Sequence, residues 1–474
     1  MVPVRGCIAV MGCAVLLSAG VQAEHRQKAD QEARAILKQL IEINTTDSIG
    51  NVSQAAEAMA QRLRTAGFAE KDVTVAGPND RKKNLVVRYR GTGQKKPILF
   101  IGHLDVVEAL RADWTTNPFE FVEKGGYFYG RGTQDMKEGD AILVMAFLRL
   151  KQEGFVPDRD LILALTADEE GGKANGIAWL LKEHKDWIDA EYCINLDGGE
   201  FEKLQGKRLL AGLQASEKVY ADFQLETTNP GGHSSVPGRE NAIYELAAAL
   251  LKLQSFSFPV KINEITRNYF KHSATLTTGS LAADLRGAAK EPPDPDAIKR
   301  LSANPYYNSL LRTTCVATLL SGGHAPNALP QTARANVNCR IFPGEDPAEV
   351  YKKLQQVVAN PNVKVSLASE KSADGQLIPV VGVPPSPLLP EVTATLERTL
   401  STMWPGLPVV PTMSTGATDG KYLRIAGMPT YGIACMFFDM EDDRAHGKDE
   451  RIEVQEYYDG VEFGYRFIKA LGSN

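Results

Sequence analysis

Apolar residues recur at helical spacing over 29–43 and again over 53–66, with polar turn residues between. Two short runs of strand type follow at 84–89 and 97–101, then a helical pattern over 142–150 and a nearly continuous apolar strand at 160–167. A helix around 177–181 and a buried-type strand at 192–196 complete the series. Strands alternating with helices predict an α/β domain whose mixed sheet is covered on both faces, with function at the strands' carboxyl ends.

From about Gly212 the pattern changes. Residues 217–226 alternate like a half-exposed strand, 241–253 form an amphipathic helix, and two further strands are expected at 313–320 and 333–341. A polar, Pro- and Asp-rich stretch at 290–304 reads as irregular. This part predicts a smaller α+β domain inserted into the first. After Pro343-Gly344 the α/β pattern resumes, with helices at 348–358 and 391–403, a strand at 430–434 and a final helix from Val454. The expected division is 24–211 and 345–474 for the larger domain and 212–344 for the insertion. No internal repeat or low-complexity tract interrupts it.

A chain of 474 residues is too long for one ordinary core, and 43% hydrophobic with 23% charged residues is a globular composition. The formal charge of −5 and the lack of a basic stripe exclude nucleic acid and anionic membrane surfaces as natural partners. Residues 1–23 carry Arg5, an apolar run over 6–17 and small residues up to Ala23, the layout of an export signal. That run is too short to span a bilayer and no later apolar stretch is long enough, so a soluble periplasmic or secreted protein is expected. Val10-Met11-Gly12-Cys13 faintly resembles a lipoprotein cleavage box, but cutting there leaves a very short apolar run.

Beyond the signal lie Cys193, Cys315, Cys339 and Cys435, without C-x-x-C spacing, which argues against a structural zinc knot. If the strands at 313–320 and 333–341 pair antiparallel about a loop near Asn327, Cys315 faces Cys339; a disulfide and two buried thiols are both open readings. Asn44-Thr45-Thr46 and Asn51-Val52-Ser53 match the glycosylation sequon, which matters only in a eukaryotic secretory pathway.

The candidate chemistry centres on 98–141. His103 and Asp105 leave the end of an apolar strand two residues apart, on the same side, so both can address one point. A ligating imidazole usually donates its other ring N–H to a carboxylate, a part Asp105 is placed to play for His103. Asp135 follows the turn Gly130-Arg131-Gly132 and precedes a helix. Glu169 and Glu170 follow one buried strand and Asp197 another; His446 sits in the charged stretch RAHGKDE. An acidic loop capping the next helix is the competing reading of Asp168-Glu169-Glu170, and a plain turn that of Asp197-Gly198-Gly199. Taken together, two imidazoles (His103, His446) and three carboxylates (Asp135, Glu170, Asp197) suit Zn2+, with Mn2+ or Co2+ as alternatives, and do not suit copper(I) or an iron–sulfur cluster. The charge balance favours two metal ions around an activated water, with one of the Glu169-Glu170 pair left to relay a proton.

GHLDVV, GRGTQDMK, ADEEGG, NLDGGE, NPGGHSSVPGRENAI and RAHGKDERI, in this order, resemble the co-catalytic zinc family of aminoacylase, acetylornithine deacetylase, succinyl-diaminopimelate desuccinylase, carboxypeptidase S and glutamate carboxypeptidase. The resemblance spans nearly the whole mature chain. It implies an α/β fold with a mixed-sheet catalytic domain of zinc-exopeptidase type and an inserted α+β lid domain that often dimerises, hence a possible homodimer. It also implies two Zn2+ per chain: His103 and Asp197 on one, Glu170 and His446 on the other, Asp135 bridging, Asp105 orienting His103, and Glu169 as general acid/base. His233 of the GGHSS motif would steady the oxyanion in a neighbouring subunit's site; a histidine capping the helix start near Pro237 is the alternative.

Arg340 matches the lid arginine that grips a substrate carboxylate, a task its planar fork suits, though a strand-end salt bridge competes. Asn338 stands where many relatives carry Asp. Asn327 and the run Gly416, Ala417 and Thr418 lie in segments that contact substrate in relatives; each is also ordinary turn chemistry. His324 has no matching role and reads as a surface loop residue, and Trp114 as a packing residue. The expected activity is metal-dependent hydrolysis of an amide in small peptides or N-acyl amino acids, releasing a free amino acid. The alternatives are an exported peptide-binding or inactive relative and, more weakly, a serine hydrolase, for which His233-Ser234-Ser235 lacks the G-x-S-x-G context.

Overall fold

The computed structural model describes residues 26–171, 173–368 and 380–473. The expected export signal and the Val10–Cys13 box lie outside the described residues. The chain divides into two compact units: Met1–Arg208 with Leu389–Leu407 and Ala434–Asn474, and Leu209–Leu388 with Pro408–Ile433.

In the first unit five strands lie in the order Val73–Ala76, Asn84–Tyr89, Leu161–Thr166, Ile98–His103, Tyr192–Asn195. The first three pair antiparallel, while Ile98–His103 runs parallel to both its neighbours, which makes the sheet mixed. Ile98–His103 is buried along its whole length, as a continuous apolar run between two parallel partners should be. The helix Lys137–Gln152 is buried on almost every face. Phe147 from this helix meets Phe100 of the central strand edge to face at 6.2 Å and Tyr89 at 6.3 Å. The closing helix Val454–Leu471 packs on it so closely that a Cβ on Gly464 would lie 2.5 Å from the Ile142 side chain. Small residues on one helix are what permit that approach.

Lys137 is wholly buried, with Nζ donating to the Leu40 and Ile43 carbonyls at 2.8 and 2.9 Å. It caps the end of the helical stretch 26–42, where the backbone leaves carbonyls unpaired. No helix among the described residues is long and apolar enough to cross a membrane.

The second unit carries a four-stranded antiparallel sheet in the order Thr314–Gly322, Thr332–Ile341, Val219–Thr228, Val363–Ala368. Helices Ala242–Ser255 and Pro347–Val358 cover it over a core that includes Phe223, Leu225, Leu246, Val337, Val350 and Leu354. This unit therefore runs past the boundary at 344 expected from sequence. Val350 and Leu354 complete the smaller core, and Val363–Ala368 takes the free edge of Val219–Thr228. The stretch 290–304 is likewise not all irregular, because Pro295–Leu301 is helical. Asp294 caps it by accepting from the N–H groups of Asp296 and Ala297, and Pro295 occupies the first turn, where its missing N–H costs nothing. The cysteine strands pair as expected, Cys315 opposite Cys339, and the two sulfurs are bonded; Cys193 and Cys435 are buried and take no part in that bond.

Candidate metal centre

His103 ends the central strand at 2% exposure. The strand can deliver it there because residue 102 is glycine: a Cβ at that position would sit 2.3 Å from the buried Asp140 carboxylate and 2.9 Å from Met136. The helix Lys137–Gln152 starts directly after Asp135-Met136, so Asp135 is held at a loop-to-helix junction beneath the strand end. Glu169 and Glu170 follow the neighbouring strand Leu161–Thr166. Asp168 turns the chain there in the left-handed region, φ 65°. Its carboxylate accepts the Ala174 N–H at 2.8 Å and pairs with buried Lys82, which also reaches Asp47 at 2.8 Å. Asp197 follows strand Tyr192–Asn195, its N–H donating to the Asn195 side chain at 3.0 Å. His446 arrives from the far end of the chain, with φ 62°.

These elements bring five side chains together. His103 Nε2 lies 3.0 Å from one oxygen of Asp135, and His446 Nε2 lies 2.9 Å from the other. His446 Nε2 is also 3.1 Å from Glu170 Oε1. Two donor clusters result, His103 with Asp135 and Asp197, and Asp135 with Glu170 and His446, the donor atoms of each lying within 4.8 Å of one another. Asp135 is common to both. Ligands bonded at about 2.0–2.2 Å to a tetrahedral ion stand roughly 3.3 Å apart, so donors at these spacings fit a divalent cation in each cluster. Nitrogen and carboxylate oxygen together are a zinc-type set, and oxygen-rich enough for manganese or cobalt.

The electrostatics agree. Burial opposes charge on the His103 imidazole, but the carboxylates of Asp135, Asp197 and Asp105 outweigh it and raise the pKa well above the ordinary histidine value. His446, hydrogen-bonded to Asp135 and Glu170, is pushed up to about 10. Burial works against the Asp135 carboxylate too, yet the two imidazoles hold it well below the usual range. The field at this point favours positive charge.

Asp105 differs in detail from the expectation. The His103 Nδ1–H group has the Asp105 main-chain carbonyl as its nearer partner, at 3.1 Å, with the carboxylate at 3.7 Å. That carboxylate instead accepts the N–H groups of Glu169 and Glu170 at 3.2 and 3.1 Å. Asp105 thus ties the imidazole to the glutamate turn, and burial first of all pushes its own pKa up to about 6.

The predicted oxyanion and substrate residues, His233, Asn327, Arg340 and Gly416 to Thr418, lie in the second unit. His233 and Asn327 share a short two-stranded ribbon, Gly232–His233 against Ala328–Leu329, where the Asn327 carbonyl accepts the Ser234 N–H at 3.1 Å. His233 is exposed, and its Nδ1 is engaged by the Ser235 hydroxyl at 2.6 Å. Arg340 is half-buried with its guanidinium 4.7 Å above the Tyr220 ring. Asn338 and Asn336 both donate to Asp222 at 2.9 Å, and Tyr220 donates to the same carboxylate at 2.6 Å, so the amide at 338 braces the ring beneath Arg340. Thr418 is buried, donating its N–H and hydroxyl to Glu217 at 3.1 and 2.9 Å, and the Gly416 N–H donates to Ser414. These contacts are the turn chemistry of the loop; Ala417 between them is half-buried. His324 is exposed and Trp114 buried.

Sequence reasoning passed over Lys82, Arg131 and Glu450. The last is buried four residues beyond His446 and sits under the Asp135 loop. Its only sequence signal is the charge density of RAHGKDERI, which reads as surface.

Among known proteins, the chain is 29% identical over 402 residues to a probable carboxypeptidase S-like 2 of Dictyostelium discoideum, covering 81% of this chain and 74% of that one. It is 28% identical over 398 residues to the human N-fatty-acyl-amino acid synthase/hydrolase PM20D1, covering 79% and 74%. The fold matches the crystal structure of the M20 metallo-carboxypeptidase Sso-CP2 of Sulfolobus solfataricus with a TM-score of 0.69 at 16% identity, covering 93% of this chain and 99% of that one. Residues 99–470 match the family described as Peptidase family M20/M25/M40. The chain therefore belongs to the M20/M25/M40 peptidases, a family of dinuclear-metal exopeptidases and amidohydrolases.

Proposed function

We propose that this protein hydrolyses the amide bond of small peptides or N-acyl amino acids and releases an amino acid with a free carboxylate. The observation that carries the reading is the single carboxylate, Asp135, shared by two nitrogen-and-oxygen donor clusters beside the Glu169-Glu170 turn. The names of the two relatives, a carboxypeptidase and an N-fatty-acyl-amino acid synthase/hydrolase, support its two arms.

His103 and Asp197 would hold one divalent cation, Glu170 and His446 the other, and Asp135 both. Zinc is the first choice, manganese and cobalt the alternatives. When bound, such a pair supplies a more acidic water and a polarised carbonyl. Glu169 takes the proton from the attacking water and returns it to the leaving nitrogen, which a carboxylate in a half-buried turn can do in both directions. Asp105 fixes that turn through the two N–H groups it accepts. His233 steadies the oxyanion, Arg340 grips the substrate carboxylate, and Asn327 with Gly416, Ala417 and Thr418 contributes to substrate contact. A homodimer through the smaller unit is part of the proposal, as is export, which the Cys315–Cys339 disulfide supports because such bonds persist in oxidising compartments.

The test is a panel of dipeptides and N-acyl amino acids, with and without chelator, alongside elemental analysis. Glu169→Ala is expected to keep its metal and lose about 10²–10⁴-fold in kcat. Parallel loss of metal and activity would remove Glu169 from its assigned role. Tight binding without turnover at full metal occupancy would point to a peptide-binding relative instead.

A further inference from the structure

Beneath the Asp135 loop lies a buried carboxylate that neither holds a cation nor moves a proton in the scheme above. Glu450 has no exposed surface. Its Oε1 accepts the backbone N–H groups of Gly132 at 3.1 Å, Gln134 at 2.6 Å and Asp135 at 3.2 Å. Its Oε2 accepts from Arg131, itself only 2% exposed. The Arg131 guanidinium also reaches the main-chain carbonyl of His446 at 3.3 Å and lies 5.1 Å from the Trp114 ring. At the other edge Gln134 accepts the Arg444 N–H at 2.6 Å and donates to the Asp442 carbonyl at 3.1 Å.

The loop 130–135 and the loop 444–450 are thus cross-tied on both sides of the point where Asp135 meets His446. A buried ion pair contributes little net stability, because desolvation consumes most of the attraction. What it does supply is direction. Three N–H groups aimed at one oxygen form an anion cradle, and filling it with a charge anchored by Arg131 leaves the loop a single arrangement.

We propose that Arg131 and Glu450 are positioning residues that set Asp135 and His446 at their common spacing. Three hundred residues of chain separate the two ligands, and this pair fixes the register between their loops. The proposal rests on the reading of Asp135 as a bridging ligand.

The experiment uses the full chain loaded with Co2+, whose visible absorption reports ligand geometry. Glu450→Gln keeps a carbonyl oxygen for the three N–H groups but loses the charge facing Arg131, whereas Glu450→Ala loses both. Metal retention on dialysis and kcat are expected to fall by about 10-fold in Glu450→Gln and about 100-fold in Glu450→Ala, with an altered Co2+ band and KM within about two-fold. A folded variant of either kind with the wild-type spectrum, retention and kcat overturns the proposal. Failure of both to fold would assign the pair to the scaffold and overturn it too. Wild-type protein that takes up no Co2+ would instead sink the metal reading itself, an outcome distinct from a metal-loaded wild type beside unaffected variants.

Discussion

His446→Ala should leave one metal ion bound where the unaltered protein binds two. The change removes one of three donors from the cluster of Asp135, Glu170 and His446 and none from the cluster of His103, Asp135 and Asp197. A four-ligand zinc site is worth about 10–16 kcal/mol in apparent binding free energy, so each protein ligand carries about 3 kcal/mol, or about 100-fold in affinity. The two clusters do not start level. The His446 side chain is 54% exposed, while that of His103 is 2% exposed, so water competes for the first far more easily. Stepwise dialysis against a chelator should therefore strip the unaltered protein in two phases, and His446→Ala should show only the slower one. Asp135→Ala, which takes a donor from both clusters, should abolish both phases. Elemental analysis of the dialysed fractions reads the result directly. One metal retained by Asp135→Ala with unchanged affinity, or two retained by His446→Ala, would refute a shared carboxylate between two ions.

Burial pushes the Lys218 ammonium down to about 7, against the help of Glu345, while its Nζ donates to the Arg312 carbonyl at 2.8 Å. The unfolded chain then binds the extra proton between that value and the ordinary one, so this residue's cost is full below pH 7 and fades as pH rises towards 10. Lys218→Met should stabilise the protein at pH 6 by up to about 4 kcal/mol and by somewhat less than half as much at pH 9, as denaturant titrations at the two pH values will show. Phe147→Ala opens a cavity against Phe100 and Tyr89 and should cost about 3–5 kcal/mol on the same assay. Replacing Cys315 and Cys339 by alanine releases a cross-link over 24 residues and should lower stability by about 3 kcal/mol, a loss that reducing agent should reproduce in the unaltered protein.

The parts of this protein that were readable from sequence are those where one physical demand writes a pattern. Strands buried on both faces, such as Ile98–His103 and Leu161–Thr166, must be continuously apolar, and their ends mark where polar side chains reappear. His103, Glu170 and Asp197 were visible for that reason. The 344 boundary was not, because Pro347–Val358 and Val363–Ala368 are an ordinary helix and strand, and nothing local says which sheet a strand will join. Asp294-Pro295 held a helix-start signal inside a stretch that its prolines and aspartates made look irregular. Arg131, Lys82 and Glu450 escaped because a buried ion pair has the same letters as a solvated one. Only the partner, distant in sequence, tells them apart.

The first compact unit is assembled from three separate stretches of chain, and the last of them, Ala434–Asn474, brings His446 and the helix that closes on Ile142. A ribosome making this protein therefore releases four of the five proposed ligands long before the fifth exists. A polypeptide cut short of Ala434 would carry His103, Asp135, Glu170 and Asp197 but not the imidazole that completes the second donor cluster. A protease that clips this stretch should therefore cost the protein that cluster.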